Sequence, residues 1–219
     1  EFANKGIDVF IEALGELNQK LKEEDYDKNI FVFFFVPSDT RGGKMEVLEN
    51  ISIYNELEDY VEEIAPDLKR KIISLLTQDK DISEELPKFL TENYGKSIKS
   101  FSKDLKSKRG ENPPTCAFEL NYENDDIQEH LKANDLNNSK EDPVKVIQYP
   151  VYLSVSDKFL SLDYYPAIRG CSFGVFPSQY EPWGYTPVES ALNGNIALTT
   201  DLAGFGKFLM KNCPEEDRE

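Results

Sequence analysis

FGVFPSQYEPWGYTPVESALNGNIALTTDLAGFG, residues 173–206, is the stretch whose reading decides the fold. It opens with four apolar-leaning residues, Phe173 to Phe176, and a Pro-Ser turn stops them. A loop follows that carries Glu181, Trp183, Gly184, Tyr185 and Thr186. Pro187 is placed to open a helix, because proline suits a first helical turn, where no N–H is needed. Ile196 to Thr199 reads as a second strand, and a Gly-rich loop closes the run. Strand, loop, helix and strand make a βαβ unit whose loop lies at the carboxyl end of a strand. In open α/β sheets ligands bind at that edge. Glu181 and Glu189, with seven residues between them, flank the turn. Amides at the helix start between two carboxylates suit an anionic, hydroxyl-rich ligand.

Outward from this unit, strands continue to alternate with helical stretches. Ile30–Val36 is a continuous apolar run ended by Pro37, which predicts a strand buried on both faces. Residues 115–120 and 144–149 read as further strands. Residues 7–22 predict a helix with Phe10, Leu14, Leu17 and Leu21 on one face. Shorter helices are expected near Ile127–Ala133 and over residues 163–170, and a turn over residues 38–44. The alternation predicts an α/β domain with a Rossmann-like parallel sheet.

Residues 45–109 differ in character. They are charged and helix-favouring, with no convincing strand, and predict about four helices, the second opening at Pro66. Apolar faces are expected at Leu57, Tyr60, Val61 and Ile64, at Ile72, Leu75 and Leu76, and at Ile98, Phe101 and Leu105. The segment reads as a helical insertion in the α/β domain.

The formal net charge of −16 sets the field against nucleic acid and anionic membrane as partners. Three scattered cysteines and the single His130 offer no zinc spacing, so no metal is expected. Sparse, odd cysteines suit a reducing compartment, so a cytoplasmic protein is expected. The longest apolar run falls far short of the ~18 residues of a membrane span. Starting at Glu1 and ending in PEEDRE, the chain reads as part of something longer.

Individual residues admit two readings each. Glu181 is a solvated loop carboxylate or a group that meets a sugar. Glu189, taken to lie on a first helical turn, is a dipole-stabilising acid or a ligand contact. Trp183 is an aromatic plug, or the mark of backbone held close to a phosphate by Gly184, Tyr185 and Thr186. Lys5 is a surface lysine or a diphosphate partner. Tyr164 and Tyr165 stack on a base or pack inside. Gly204-Phe205-Gly206 is a close-approach loop or a turn. His130, on a charged helix, reads as exposed and idle. The acidic run Glu123–Asp126 lacks the glycine and closing glutamate of a calcium loop.

FPSQYEPWGYTPVES together with TTDLAGFG resembles the donor-site signature of glycogen synthases of the animal and fungal type, glycosyltransferase family three. FANKGIDVFIEALGELNQKL, NPPTCAFEL, VKVIQYPVYL and LDYYPAIRGCSFGVFP resemble further segments in the family's order. Across 45–109 only length and helical character match. Bacterial-type starch synthases share the two glutamates, but their motif usually lacks the Trp-Gly-Tyr-Thr-Pro run. The resemblance implies that residues 1–219 form most of the C-terminal, donor-binding domain of a GT-B enzyme. It implies a UDP-glucose donor, an α-1,4-glucan acceptor met with a further domain, retention at the anomeric carbon, and no cofactor. Glu181 would lie at the donor sugar and Lys5 at the diphosphate, with the amides of Gly184, Tyr185 and Thr186. Glu189 would hold the ribose and Tyr164 would stack on uracil. The helical insertion would serve homo-oligomer assembly.

The family pattern breaks at Ser172, where a histidine is usual. It breaks again at Tyr149-Pro150-Val151-Tyr152, in place of His-Pro-Glu-Phe, and at Phe118-Glu119, in place of His-Asn. A second reading therefore stands beside the first: a non-catalytic nucleotide-sugar-binding or assembly module.

Overall fold

The computed structural model describes residues 2–107, 112–122 and 124–213. The Leu105 side chain, Glu123, residues 108 and 109 and the terminal PEEDRE lie outside the described residues. The chain divides into two compact units, Glu1–Gly43 with Pro113–Glu219, and Lys44–Asn112.

The first unit is α/β. A 3-10 turn, Ala3–Lys5, leads through Gly6 into α1, Ile7–Glu23. β1 (Ile30–Phe34) and β2 (Thr40–Gly43) follow. After the second unit come β3 (Phe118–Leu120), α4 (Asp126–Ala133) and β4 (Val144–Gln148). The unit closes with α5 (Tyr164–Arg169), β5 (Phe173–Phe176), α6 (Tyr185–Leu192), β6 (Ile196–Thr199) and α7 (Gly204–Asn212). β1 pairs parallel with β4, Ile30 opposite Val144 and Phe34 opposite Gln148. β5 pairs parallel with β6, Phe173 opposite Ile196 and Phe176 opposite Thr199.

One core cluster joins Ile11 and Leu14 of α1, Phe34 of β1, Ile127 and Leu131 of α4, and Val144 and Val146 of β4. Successive strand residues face opposite sides, so β4 also contributes Ile147 to a second cluster with Ala117, Phe118 and Tyr149.

Several expectations change. β1 is packed on one face only: Phe31 and Phe33 are exposed. The stretch 115–120 divides. Cys116 bridges parallel to Gln148, whereas Phe118–Leu120 pairs antiparallel with Thr40–Gly43. The latter was expected as a turn, and a register shift at Thr40/Gly42 lets it pair. On α1 the buried face runs through Ile11, Leu14 and Asn18, leaving Leu17 exposed. Asn18 belongs inside because it is hydrogen-bonded there. Its Nδ2 donates to Asp142 Oδ1 at 3.0 Å, and its Oδ1 accepts the Val144 N–H at 3.1 Å. A buried polar side chain with its partners costs little; one without them costs a great deal. Burial pushes the Asp142 carboxyl up, but hydrogen bonds from Lys22, Asn18 and Ser139 hold it below the usual carboxylate range.

The second unit is a pair of long helices, α2 (Met45–Thr77) and α3 (Ile82–Ser107), rather than four shorter ones. Pro66 and Pro87 lie inside them. An internal proline loses one backbone hydrogen bond and crowds the preceding turn, at about 3 kcal/mol. Contacts along the pair offset this. Tyr60 meets Phe101 with ring centroids 5.3 Å apart, Lys71 lies 5.5 Å over Phe89, and Tyr94 donates to Asp67 at 2.7 Å. These contacts make the pair antiparallel, with Ile64 and Leu75 buried. Val61, Leu76 and Ile98, expected on the inner faces, are exposed.

Candidate functional site

The loop after β5 forms the site, and three neighbouring segments hold it. The first is the N-terminal turn. Asn4 offers its carbonyl to the Gln179 N–H at 2.8 Å and the Tyr180 N–H at 3.5 Å. Lys5 Nζ then pairs with Glu181 Oε2. Gly6 adopts φ 64°, and a Cβ there would stand 2.0 Å from the Pro177 carbonyl oxygen. Only glycine fits a left-handed residue pressed this closely on another backbone. The resulting turn puts Lys5 against the Glu181 loop across 176 residues of sequence.

α6 is the second. It starts at Tyr185, two residues before Pro187 and directly after Gly184. The amides of its first turn have no intrahelical acceptor, and the turn carries no acidic side chain. The positive end of the helix dipole is therefore left for an outside anion. Tyr185 and Thr186 are exposed beside it. The early helix start corrects the reading of Glu189: it occupies the second turn, where the N-terminal dipole no longer explains a carboxylate.

Glu189 has another partner. Tyr164, at the start of α5, donates its hydroxyl to Glu189 Oε2 at 2.8 Å. Burial and then the Glu189 carboxylate push the Tyr164 phenol well above its ordinary value, so it remains a donor into strongly alkaline solution. The residue is 37% exposed, and its ring meets the Tyr165 ring edge-on at 5.2 Å. Tyr164 is thus a surface residue rather than a core one.

The segment after β6 is the third. Glu181 and Ala203 form a parallel bridge, and Gly204 N–H donates to the Glu181 carbonyl at 2.9 Å. Gly204-Phe205-Gly206 is the first turn of α7, and Gly204 approaches the loop closely there. The Trp183 ring packs on Phe205 and Phe208, centroids 5.9 and 5.7 Å away. The tryptophan is nonetheless exposed, so it covers α7 from outside rather than plugging the core.

So Lys5 and Glu181 stand at one place, Tyr164 and Glu189 at another, with the α6 amides on the chain between the two glutamates. Sequence reasoning missed Asn4 and Gly6 as holders of the loop and read Gly204 as a close approach without saying to what. For Gly6 the signal was a glycine directly before a helix; for Asn4 there was none. His130 is not idle. Its ring meets Phe2 at 4.7 Å, and because Asp126 O can only accept, Nδ1 donates to it at 2.8 Å.

Two positions where the family pattern breaks meet each other. Phe118 packs edge-on against Tyr149 at 5.2 Å, both buried. Tyr149 donates its hydroxyl to Asp157 at 2.6 Å. Burial and then Asp157 push the phenol far up. Burial also pushes Asp157 up, but Tyr149 and the Ser161 and Phe159 amides outweigh it and hold the carboxyl down. Here these positions serve a packed core. Ser172 is exposed.

Among the described residues no three His, Cys, Asp or Glu side chains gather as a metal cluster. Nor is any of their helices long and apolar enough to cross a membrane.

A family model described as glycogen synthase matches residues 1–218. "Glycogen [starch] synthase isoform 1" of Saccharomyces cerevisiae is 36% identical, over all of this chain and 32% of that protein. The human "Glycogen [starch] synthase, liver" is 33% identical, over 98% of this chain and 30% of its own length. "Glycogen [starch] synthase" of Caenorhabditis elegans is 31% identical, over all of this chain and 33% of its own length. The chain thus spans about a third of these curated relatives.

Proposed function

The chain belongs to the glycogen synthase family, and from that premise we propose that it is the donor-binding part of a retaining glycosyltransferase that adds glucose from UDP-glucose to an α-1,4-glucan. The whole protein would be a cytoplasmic GT-B enzyme, its glucan site completed by a further domain. The paired helices α2 and α3 of the insertion would serve assembly of copies.

The observation that carries the reading is the Lys5–Glu181 pair on the loop that runs into the N-terminus of α6, whose first-turn amides have no intrahelical acceptor. Lys5 pairs with the Glu181 carboxylate. Such a half-exposed pair contributes only about 0–1 kcal/mol, so a diphosphate with more than one negative charge draws Lys5 away. The amide of Gly184 and those of Tyr185 and Thr186 at the start of α6 receive the same diphosphate. Glu181 is then free to face the glucose. The bond from the anomeric carbon to the β-phosphate oxygen breaks, and the acceptor 4-hydroxyl attacks from the same face. Its proton passes to the departing phosphate. Lys5 and the amides stabilise charge growing on UDP, and Glu181 stabilises positive charge growing on the sugar. Glu189 receives the ribose hydroxyls, and Tyr164 stacks on uracil while orienting Glu189.

Glu181→Ala in the full-length protein tests this. Loss of a group that acts mainly in the transition state lowers turnover by about 10²–10³-fold, while UDP affinity measured by calorimetry stays within a few-fold. An ordinary rate for that variant sinks the role. The Tyr149–Phe118 core pair, in place of polar family residues, favours a second reading as a nucleotide-sugar-binding module. UDP binding without glucan elongation by the full-length protein would select it.

A further inference from the structure

The β5–β6 pairing does not end with its strands. Beyond Phe176 and Thr199, three more hydrogen bonds tie the two following segments together. Thr200 Oγ1 donates to the Ser178 carbonyl. Gly204 N–H donates to the Glu181 carbonyl at 2.9 Å, and Phe205 N–H to the Trp183 carbonyl at 2.7 Å. A Cβ on Gly204 would stand 2.1 Å from the Pro182 carbonyl oxygen, so α7 is pressed against the loop it caps. The first two amides of α7, which a helix leaves unpaired, are thus spent on the carbonyls of the loop that carries Glu181. Two of the three bonds use backbone alone. The third depends on one side chain, the Thr200 hydroxyl, and it holds the buried Ser178, three residues before Glu181.

We infer that Thr200 is a positioning residue for sugar transfer: through Ser178 it fixes where the Glu181 loop leaves the sheet, and so where the Glu181 carboxylate stands. This rests on the reading of Glu181 as the group that faces the donor glucose. The nucleotide end is held differently. Tyr164 and Glu189 bond to each other and make none of the three clamp bonds. Loss of the Thr200 bond therefore displaces the loop on the Ser178 side of the carboxylate, while the Phe205–Trp183 bond still holds the Gly184 end that receives the diphosphate and Tyr164 and Glu189 still hold the nucleoside. Shifts of an ångström at a reacting group cost up to about a hundredfold in rate, and the two backbone bonds that remain limit the displacement.

The test compares Thr200→Val, which keeps the shape and removes the donor, with Thr200→Ser, which keeps the donor. Both are made in the full-length protein. Expected for valine is a fall in kcat of about tenfold, UDP affinity within about twofold, and faster amide exchange in peptides covering residues 178–184 and 200–206. Serine returns all three to wild-type behaviour. Wild-type kcat for the valine variant overturns the inference, as does equal damage from serine, or a matched loss of kcat and UDP affinity. If the valine protein does not fold, Thr200→Ala takes its place. Failure of both makes Thr200 a folding residue and overturns the assignment. Absence of glucose transfer by the wild-type protein sinks the functional reading instead, and the exchange measurement still reports on the clamp.

Discussion

Removing one hydroxyl from the core of the first unit has a consequence that depends on pH. Tyr149 is 2% exposed and donates to Asp157 at 2.6 Å. In Tyr149→Phe the ring packing against Phe118 survives and the hydrogen bond does not. A bond to a charged acceptor contributes about 1.5–3 kcal/mol, so near pH 7 the variant unfolds more easily by about 2 kcal/mol. The phenol's pKa is raised far above its ordinary value of 10.0 in the folded chain. A raised folded value gives stability that is fully present below the unfolded pKa and lost as pH rises toward the folded one. Above pH 10 the unfolded wild type gains a deprotonated tyrosine that the folded state refuses. Its stability then falls, relative to the variant, by about 1.4 kcal/mol per pH unit. An advantage of about 2 kcal/mol is gone about 1.5 units above that value. Asp157 acts at the other end: its folded pKa is depressed, so its share is present above the ordinary value of 3.8 and lost as pH falls through the folded one. Denaturant unfolding of both proteins, from mildly acid to strongly alkaline pH, checks this. Wild-type and variant curves that stay parallel above pH 10, or that coincide at pH 7, refute the reasoning.

Two further substitutions follow from single contacts. Tyr164→Phe keeps the ring and removes the hydroxyl that orients Glu189; loss of about 0.5–1.5 kcal/mol raises the Kd for UDP roughly two- to tenfold, and an unchanged calorimetric affinity refutes the coupling. Asn18→Leu makes the inner face of α1 more apolar, yet it strips a partner from the buried Asp142 and the Val144 N–H. The expected result is destabilisation of about 2–4 kcal/mol in chemical denaturation, and a gain in stability would show that apolar burial outweighs those bonds.

The unit from Phe173 to Thr199 was legible because its signals are local. Two short apolar runs of strand length, a proline and a glycine at the breaks and a helix-favouring stretch between them are enough, and both strands have the expected bounds. Pro66 misled because a proline's cost is local while the helix-pair contacts that offset it are not. The Phe31 and Phe33 side chains misled for a similar reason: an apolar run cannot say which of its two faces a neighbour covers. Asn18 took a core position that periodicity assigned to Leu17, since its two partners come from a loop and a strand more than 120 residues away.

By itself the sequence determined the alternation of strands and helices, the identity of the βαβ loop, and the residue types that chemistry on a nucleotide sugar would need. Those follow from hydrophobic period, turn residues and composition, which are properties of neighbours in the chain. Only the tertiary structure decided that Lys5 meets Glu181, that Tyr164 meets Glu189, and that Thr200 and Gly204 hold the loop between them. These pairings depend on distances of a few ångströms between segments far apart in the chain. Hydrogen bonds and close backbone approach set such distances, and neither leaves a periodic trace in the sequence.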